Sequence, residues 1–145
     1  MKFVSYELAQ KLKKCGFSQP CLAHYDFNGV FGYNEITTNE TVDINRLSRD
    51  LNTFKDDLWI NAPTIDHVLE WLRTEKEIFI IIEPFPTTAT KNKICWSWHY
   101  KWNSDGVYMD STFPDDLNYM TYEKSALAGI EYALDNLLIK NIKEK

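Results

Sequence analysis

The chain has 145 residues, of which 44% are hydrophobic and 14% aromatic, so it can bury the core of one domain of ordinary size. This composition excludes an intrinsically disordered chain. Acidic residues outnumber basic residues by 21 to 16, and the net charge of −5 makes nucleic acid an unfavourable partner, because its phosphate backbone would be repelled.

The cysteines and the apolar runs bear on the compartment. The three cysteines, Cys15, Cys21 and Cys95, are odd in number and form no C-x-x-C pair, which favours reduced thiols in a cytoplasm over a disulfide framework. The charged N-terminal residues lack the apolar segment of a signal peptide. The longest apolar run, residues 78–82, is far shorter than the ~20 residues of a membrane-spanning helix. We therefore expect a cytoplasmic protein that does not bind membranes.

The first sixty residues predict a helix, a hairpin and an irregular segment. Ser5 is a favourable N-cap, and Gly16 is typical of a left-handed helix end, so a helix is predicted over residues 6–15. Two short apolar segments then flank an Asn-Gly pair at 28–29, which predicts a β-hairpin. Residues 34–61 are polar and turn-rich, although Leu47, Leu51, Phe54 and Leu58 have helical spacing. For 34–61 we predict a long irregular excursion with at most one short helix.

A second helix and a buried strand follow. Apolar residues recur at helical spacing from Ile65 to Leu72, directly after a proline and a threonine that favour a helix start. Residues 78–82 are apolar at every position, which predicts a central strand covered on both faces. Pro84 and Pro86 are expected to end this strand.

Residues 93–111 carry the strongest pattern in the chain. Large apolar side chains occupy every second position of the first strand, so they lie on one face and the small or polar side chains lie on the other. Residues 103–106 predict a turn into a returning strand, with Trp102 opposite Val107. The apolar face comprises Ile94, Trp96, Trp98, Tyr100 and Trp102, and the polar face comprises Cys95, Ser97, His99 and Lys101.

A third helix completes the predicted fold. Apolar residues at i, i+3, i+7 and i+10 from Leu127 to Leu137 define its buried face, Thr121 is its N-cap, and Gly129 is one of several small residues that would let it approach a sheet closely. Residues 140–145 are expected to be a frayed basic tail. The sequence therefore predicts a single α+β domain over 1–145, with an antiparallel sheet of about 3–5 strands packed against about three helices.

Three stretches carry a resemblance to known proteins. They are Gly16-Phe17 with Pro20-Cys21, Ala62-Pro-Thr64 with Glu70-Trp-Leu-Arg73, and Tyr122-Glu-Lys-Ser-Ala126 with Ile130-Glu-Tyr-Ala-Leu134. With these stretches the chain resembles, over its first thirty or so residues and everything after 60, a group of small uncharacterised proteins of phages and mobile elements in gut bacteria. It is more loosely similar to the helix–strand–strand–helix sandwiches of small phage proteins. The resemblance implies a genomic setting and a fold, and it implies no catalytic residue.

The sequence contains no familiar catalytic or metal-binding motif. His67 and Glu70 are spaced to share a helix face, but a solvated polar pair explains them, and there is no H-E-x-x-H motif. Cys95 and His99 would be about 13 Å apart on a strand, too far for a nucleophile and its base. The paired carboxylates at 56–57 and 115–116 lie in polar surroundings that favour turns. We therefore predict a protein that is not an enzyme and has no cofactor or metal.

Two surfaces are candidates for binding. We expect the apolar face to be core, because the helices offer stripes to cover it; if exposed, Trp96, Trp98, Tyr100 and Trp102 would form a platform on which bases stack. The favoured hypothesis is a phage or mobile-element accessory protein that acts through contacts with an unidentified protein, with a homodimer as one option. The alternative is a module that binds a nucleotide or single-stranded nucleic acid. The second candidate face, open to a hairpin, a second subunit or a partner, comprises Phe79, Ile81, Ser97, His99 and Lys101.

Overall fold

The computed structural model describes residues 2–38, 41–46, 48–53, 58–86, 94–104, 107–110 and 121–140. These residues contain three α-helices and eight strands, and the strands pair into antiparallel sheets of three, two and three. The predicted α+β class, with antiparallel strands and three helices, is confirmed. The chain divides into two compact units, Met1–Thr64 and Ile65–Lys145, which we call the N-terminal unit and the C-terminal unit.

The first helix, α1 (Tyr6–Lys14), has the boundaries that its caps predict. The Ser5 hydroxyl accepts a hydrogen bond from the Leu8 N–H at 3.2 Å. Gly16 follows the helix with a φ of 87°, a left-handed conformation that glycine adopts without steric cost. The helix packs against the edge of a three-stranded sheet. Its buried side chains are Leu8, Ala9 and Leu12.

The sheet of the N-terminal unit contains the predicted hairpin. Strand β1 (Ala23–Asp26) lies between β2 (Phe31–Tyr33) and β5 (Trp59–Asn61), and both pairings are antiparallel. The turn that joins β1 to β2 contains Gly29, with a φ of 78°. The hairpin prediction is therefore confirmed.

Residues 34–61 contain paired strands where we predicted an irregular excursion, and the described part of this segment contains no helix. Strands β3 (Glu35–Thr38) and β4 (Thr41–Arg46) pair antiparallel, and residues 48–53 form a non-helical loop. The Asp and Asn side chains of that loop bond to backbone groups, which competes with helix formation. Leu47 and Phe54, on which the helical spacing partly rested, lie outside the described residues.

The tryptophan-rich strand is the central strand of the second three-stranded sheet. Strand β7 (Ile94–Ser104) lies between β6 (Ile78–Pro86) and β8 (Val107–Asp110). Among the described residues β6 lies at the edge of its sheet, and it continues through Pro84, which pairs with Trp96, to Pro86. The prediction that 78–82 form a central strand ended by prolines is therefore wrong. An edge strand tolerates proline because the outward N–H has no ladder bond to make.

The register of β7 with β8 differs from the prediction by two residues. Trp102 pairs with Met109 and Ser104 pairs with Val107, whereas we expected Trp102 opposite Val107. The connection is therefore two residues long, and its Asp-Gly sequence at 105–106 is one that two-residue hairpin loops prefer.

Helices cover the second sheet. Helix α2 (Ile65–Glu75) packs against β6, and helix α3 (Tyr122–Tyr132) packs against β6, β7 and α2. The chain continues from α3 into a π-helical segment, Ala133–Ile139. The Thr121 hydroxyl caps α3 by accepting a hydrogen bond from the Lys124 N–H. Since α2 and α3 both lie where the sequence predicts a helix, the predicted second and third helices are confirmed. The tail after Lys140 lies outside the described residues.

Candidate functional site

The apolar face of β7 is mostly covered by α3. Trp98 and Tyr100 expose only 3% and 8% of their surface. Their ring centroids lie 5.3 and 5.4 Å from that of Tyr132 on α3. Trp96 and Trp102, nearer the ends of the strand, are partly buried. The sequence-predicted platform is therefore largely part of the core of the C-terminal unit.

The cover over this face is tight at one point, and within the described residues it leaves two polar atoms without a hydrogen bond. A Cβ atom on Gly129 would lie 2.6 Å from Cγ2 of Ile80 and 3.3 Å from the Trp98 ring, so the helix backbone rests directly on the sheet. The buried Trp98 Nε1 and Ser125 Oγ have no hydrogen-bond partner in the described part of the chain. An unpaired buried polar group is destabilising, which makes Ser125 an informative position for substitution.

The polar face of β7 offers a partly open surface. Phe79 on the neighbouring strand is 39% exposed, and Ile81, His99 and Lys101 are partly buried. Ser97 is buried and donates a hydrogen bond to the Glu83 carbonyl at 3.4 Å. The second candidate face thus has one exposed apolar side chain and one buried member.

Four of the exposed apolar side chains of the N-terminal unit lie on the β1–β2 hairpin, and two others, Leu58 and Trp59, lie at the start of β5. Phe27 and Val30 in the turn expose 61% and 60% of their surface, and Phe31 and Tyr33 on β2 each expose 37%. Scattered exposed apolar residues are normal, but a contiguous group often marks an interaction site. We call Phe27, Val30, Phe31 and Tyr33 the hairpin surface.

The turn that carries the hairpin surface is held in one conformation. Asp26 Oδ1 accepts hydrogen bonds from the backbone N–H groups of Asn28 and Val30, at 2.8 and 2.9 Å. The Tyr6 hydroxyl donates to the Phe27 carbonyl, and the Tyr6 ring lies against Gly29, where a Cβ atom would be 3.1 Å from the ring. Side chain and backbone bonds thus fix the turn from both sides, so Phe27 projects from a preordered backbone.

Aromatic rings support the hairpin surface from below. The ring of Phe31 lies 5.0 Å from Phe3, 5.2 Å from Tyr33 and 5.6 Å from Tyr25 between centroids, all tilted or edge-on. Tyr25 also contacts Tyr6 and donates a hydrogen bond to the Val4 carbonyl at 2.6 Å. Edge-on packing is the favourable arrangement of such rings and adds stability beyond area burial.

The opposite face of the same sheet holds a histidine in a defined orientation. Asn34 Nδ2 donates to the Cys21 carbonyl at 2.8 Å, so its Oδ1 faces Nδ1 of His24 at 2.6 Å. Because that oxygen only accepts, Nδ1 carries the hydrogen of the pair. The imidazole packs edge-on against Trp59 and lies over Gly32. We assign His24 a structural role at the centre of the sheet.

A buried asparagine anchors the loop before β5. Asn61 is fully buried, its Oδ1 accepts from the Leu51 N–H, and its Nδ2 donates to the Gln19 carbonyl and to Asp50 Oδ1. Its own N–H donates to Asn52 Oδ1. A polar group with all its bonds made specifies one backbone arrangement, so much of the polar composition of residues 48–53 has a structural explanation.

Cys21 and His67 are two of the titratable groups in the described part of the chain whose pKa is shifted by burial. Burial, followed by the negative charge of Asp50, raises the pKa of the Cys21 thiol to about 12, which keeps it protonated and unreactive at neutral pH. Burial lowers the pKa of His67, and the charge of Glu70 opposes this shift in part. Within the described ranges, no group of three or more His, Cys, Asp or Glu side chains could hold a metal ion.

Sequence reasoning missed the hairpin surface, although a signal was present. Phe31 and Tyr33 flank Gly32, and this alternation places both rings on one face of a strand. Their exposure could not be predicted, because it depends on which distant element covers that face.

Comparisons with protein-family models, with curated proteins and with solved structures find no significant match to this chain. In the part of the chain that the structure describes, no helix has both the length and the hydropathy to cross a bilayer.

Proposed function

We propose that this protein is a non-catalytic binding protein that docks another protein on the hairpin surface. The observation that carries this proposal is the exposure of Phe27 and Val30, above 60% and at 60%, on a turn held by Asp26 and Tyr6. Fully burying one such side chain is worth roughly 1.5–3 kcal/mol, and a preordered turn loses little entropy on binding. Aromatic side chains, Phe among them, are enriched at the cores of protein interfaces, so Phe27 is the main anchor that we expect.

The alternative, a module that stacks nucleotides or single-stranded nucleic acid, is less well supported. It needs the ring faces of Trp96, Trp98, Tyr100 and Trp102 to be open, and Trp98 and Tyr100 lie beneath α3. The high pKa of Cys21 also argues against catalysis by that thiol. The resemblance to phage and mobile-element proteins would make this an accessory protein acting in a bacterial cytoplasm, and that part of the proposal rests on the resemblance alone.

Peptide-display selection tests the proposal. A random peptide library is selected on the wild-type protein after depletion on a variant carrying Phe27→Ser and Val30→Ser. We expect enriched peptides whose affinity falls by about tenfold or more on the double variant, which corresponds to about 1.4 kcal/mol. Enrichment of no peptide that distinguishes the two proteins would refute the proposal.

A matched control separates docking from general stickiness. Tyr122 in the C-terminal unit is 39% exposed, and its substitution by serine should leave the affinity of the selected peptides unchanged. Because Phe27 and Val30 project from the surface, their replacement should change the free energy of unfolding by no more than about 0.5 kcal/mol. Urea unfolding of both variants checks this.

A further inference from the structure

We propose that the segment bound by the hairpin surface is a cationic and apolar stretch of protein, carrying Arg or Lys beside large apolar side chains. This inference rests on the proposed function and adds the chemistry of the partner. It follows from the charges around the hairpin surface and from the rings that form it.

Two carboxylates flank the apolar tip. Glu7 is exposed in the first turn of α1, next to Tyr6, whose hydroxyl bonds to the Phe27 carbonyl. Asp26 lies at the base of the turn, where Oδ1 accepts two backbone hydrogen bonds, so its charge is held beside the exposed side chains. Two basic residues lie near these carboxylates along the chain: Lys2 precedes Phe3, and Lys11 lies one helical turn after Glu7. The apolar tip therefore has one carboxylate at its base, Asp26, and a second, Glu7, beside the tyrosine that bonds to the turn.

The negative charge extends to the ring cluster. The pKa of Tyr25 is raised, by burial first and then by the charge of Glu7, so that carboxylate is close enough to act on the cluster. Aromatic ring faces also carry negative potential and attract cations within about 6 Å of the ring centre. Arginine suits such a surface best, because its planar group can stack on a ring and pair with a carboxylate at once.

Other occupants gain less from this arrangement. An acidic segment would be repelled by Glu7 and Asp26, and so would an anionic lipid surface. A second copy of this chain carries a net charge of −5, so long-range repulsion opposes self-association at this surface. A basic segment alone combines apolar burial with attraction to both carboxylates.

Charge-matched peptides and isosteric variants test the inference. The probes are a short synthetic peptide with Arg and Leu at alternate positions and its counterpart with Glu in place of Arg, followed by fluorescence anisotropy. Glu7→Gln with Asp26→Asn removes both charges and keeps the Oδ1 acceptor that holds the turn. The control, Glu70→Gln with Glu131→Gln, removes two exposed charges from the C-terminal unit. We expect the wild type to bind the Arg peptide at least about tenfold more tightly than the Glu peptide, the double variant to lose about tenfold, and the control to change by less than about twofold.

The outcomes separate this inference from the proposed function. Display-selected peptides that depend on Phe27 but are neutral or acidic would overturn the cationic partner and leave the docking function standing. Arg-peptide binding that survives Phe27→Ser with Val30→Ser would place the contact elsewhere and overturn the inference. The inference would also be overturned if the wild type binds phosphatidylserine-containing vesicles, or dimerises in sedimentation equilibrium, and the variant with Phe27→Ser and Val30→Ser does not. Loss of the Arg peptide in both double variants, with retention in the control, would support it.

Discussion

Gly129→Ala has two opposite effects on the stability of the protein at the contact of α3 with the sheet. Alanine is favoured over glycine in a helix interior by about 1 kcal/mol, so the substitution should stabilise an isolated helix. In this protein the new Cβ would lie 2.6 Å from Cγ2 of Ile80 and 3.3 Å from the Trp98 ring. Ordinary carbon contacts are about 3.5–4.0 Å, so the helix or the isoleucine must move by about 1 Å.

The clash should outweigh the gain in helix propensity. Ile80 is branched at Cβ and therefore stiff, so Cγ2 cannot turn away as the end of a long side chain could. Overpacking a core typically costs about 1–3 kcal/mol. After subtraction of the helix gain of about 1 kcal/mol, Gly129→Ala should lower the free energy of unfolding by about 1 kcal/mol. With the contact that the structure shows, this variant should not be more stable than the wild type.

Urea unfolding followed by tryptophan fluorescence measures this loss. Two sets of control variants separate the effect of helix propensity from the effect of the clash. Glu131 is exposed in the same helix, so Glu131→Ala should be more stable than Glu131→Gly by about 1 kcal/mol, which reports propensity without the clash. Ile80→Ala removes the opposing methyl group, so Gly129→Ala should cost at least about 1 kcal/mol less in that background. If Gly129→Ala instead stabilises the protein as the Glu131 pair predicts, α3 does not rest on β6 this closely and the reasoning is refuted.

Two further predictions concern buried polar groups. Ser125→Ala should stabilise the protein by about 1 kcal/mol in urea unfolding, because the buried hydroxyl has no hydrogen-bond partner in the described part of the chain. Thr121→Ala is the contrasting variant: it removes a hydroxyl that caps α3, so it should destabilise the protein by about 1 kcal/mol in the same assay. A loss of stability in Ser125→Ala would show that the hydroxyl is bonded. Cys21 has its pKa raised from 9.0 to about 12, so its contribution is complete below pH 9 and is lost as the pH rises towards 12, by about 1.4 kcal/mol per pH unit. Because the unfolded thiol is only half ionised at pH 9, Cys21→Ala should reduce the fall in stability between pH 9 and 10 by about 1 kcal/mol, and an unchanged fall would contradict the assignment.

Local signals predicted the helices, whereas strand order could not be predicted. Ser5, Gly16 and Thr121 act on backbone groups within one turn, so a single sequence contains all the information that their caps need. The place of β6 at the edge of its sheet depends on which strands pair with it, and an all-apolar run fits a central or an edge strand equally well. Pro84 and Pro86 pointed to an edge, and we interpreted them as the end of the strand.

The binding surface was sought on β7 because aromatic residues are densest there, yet density alone does not distinguish a core strand from a platform. What distinguishes them is a complementary cover. Gly129 gives α3 a flat surface that fits against Trp98, so the large side chains of the strand and the small residue of the helix form one packed layer. The rings of Phe31 and Tyr33 instead pack edge-on against other rings and remain over a third exposed, while Phe27 projects further from a fixed turn. An aromatic strand matched by a small-residue helix therefore favours core, and an aromatic hairpin without such a helix is the better place to look for a partner.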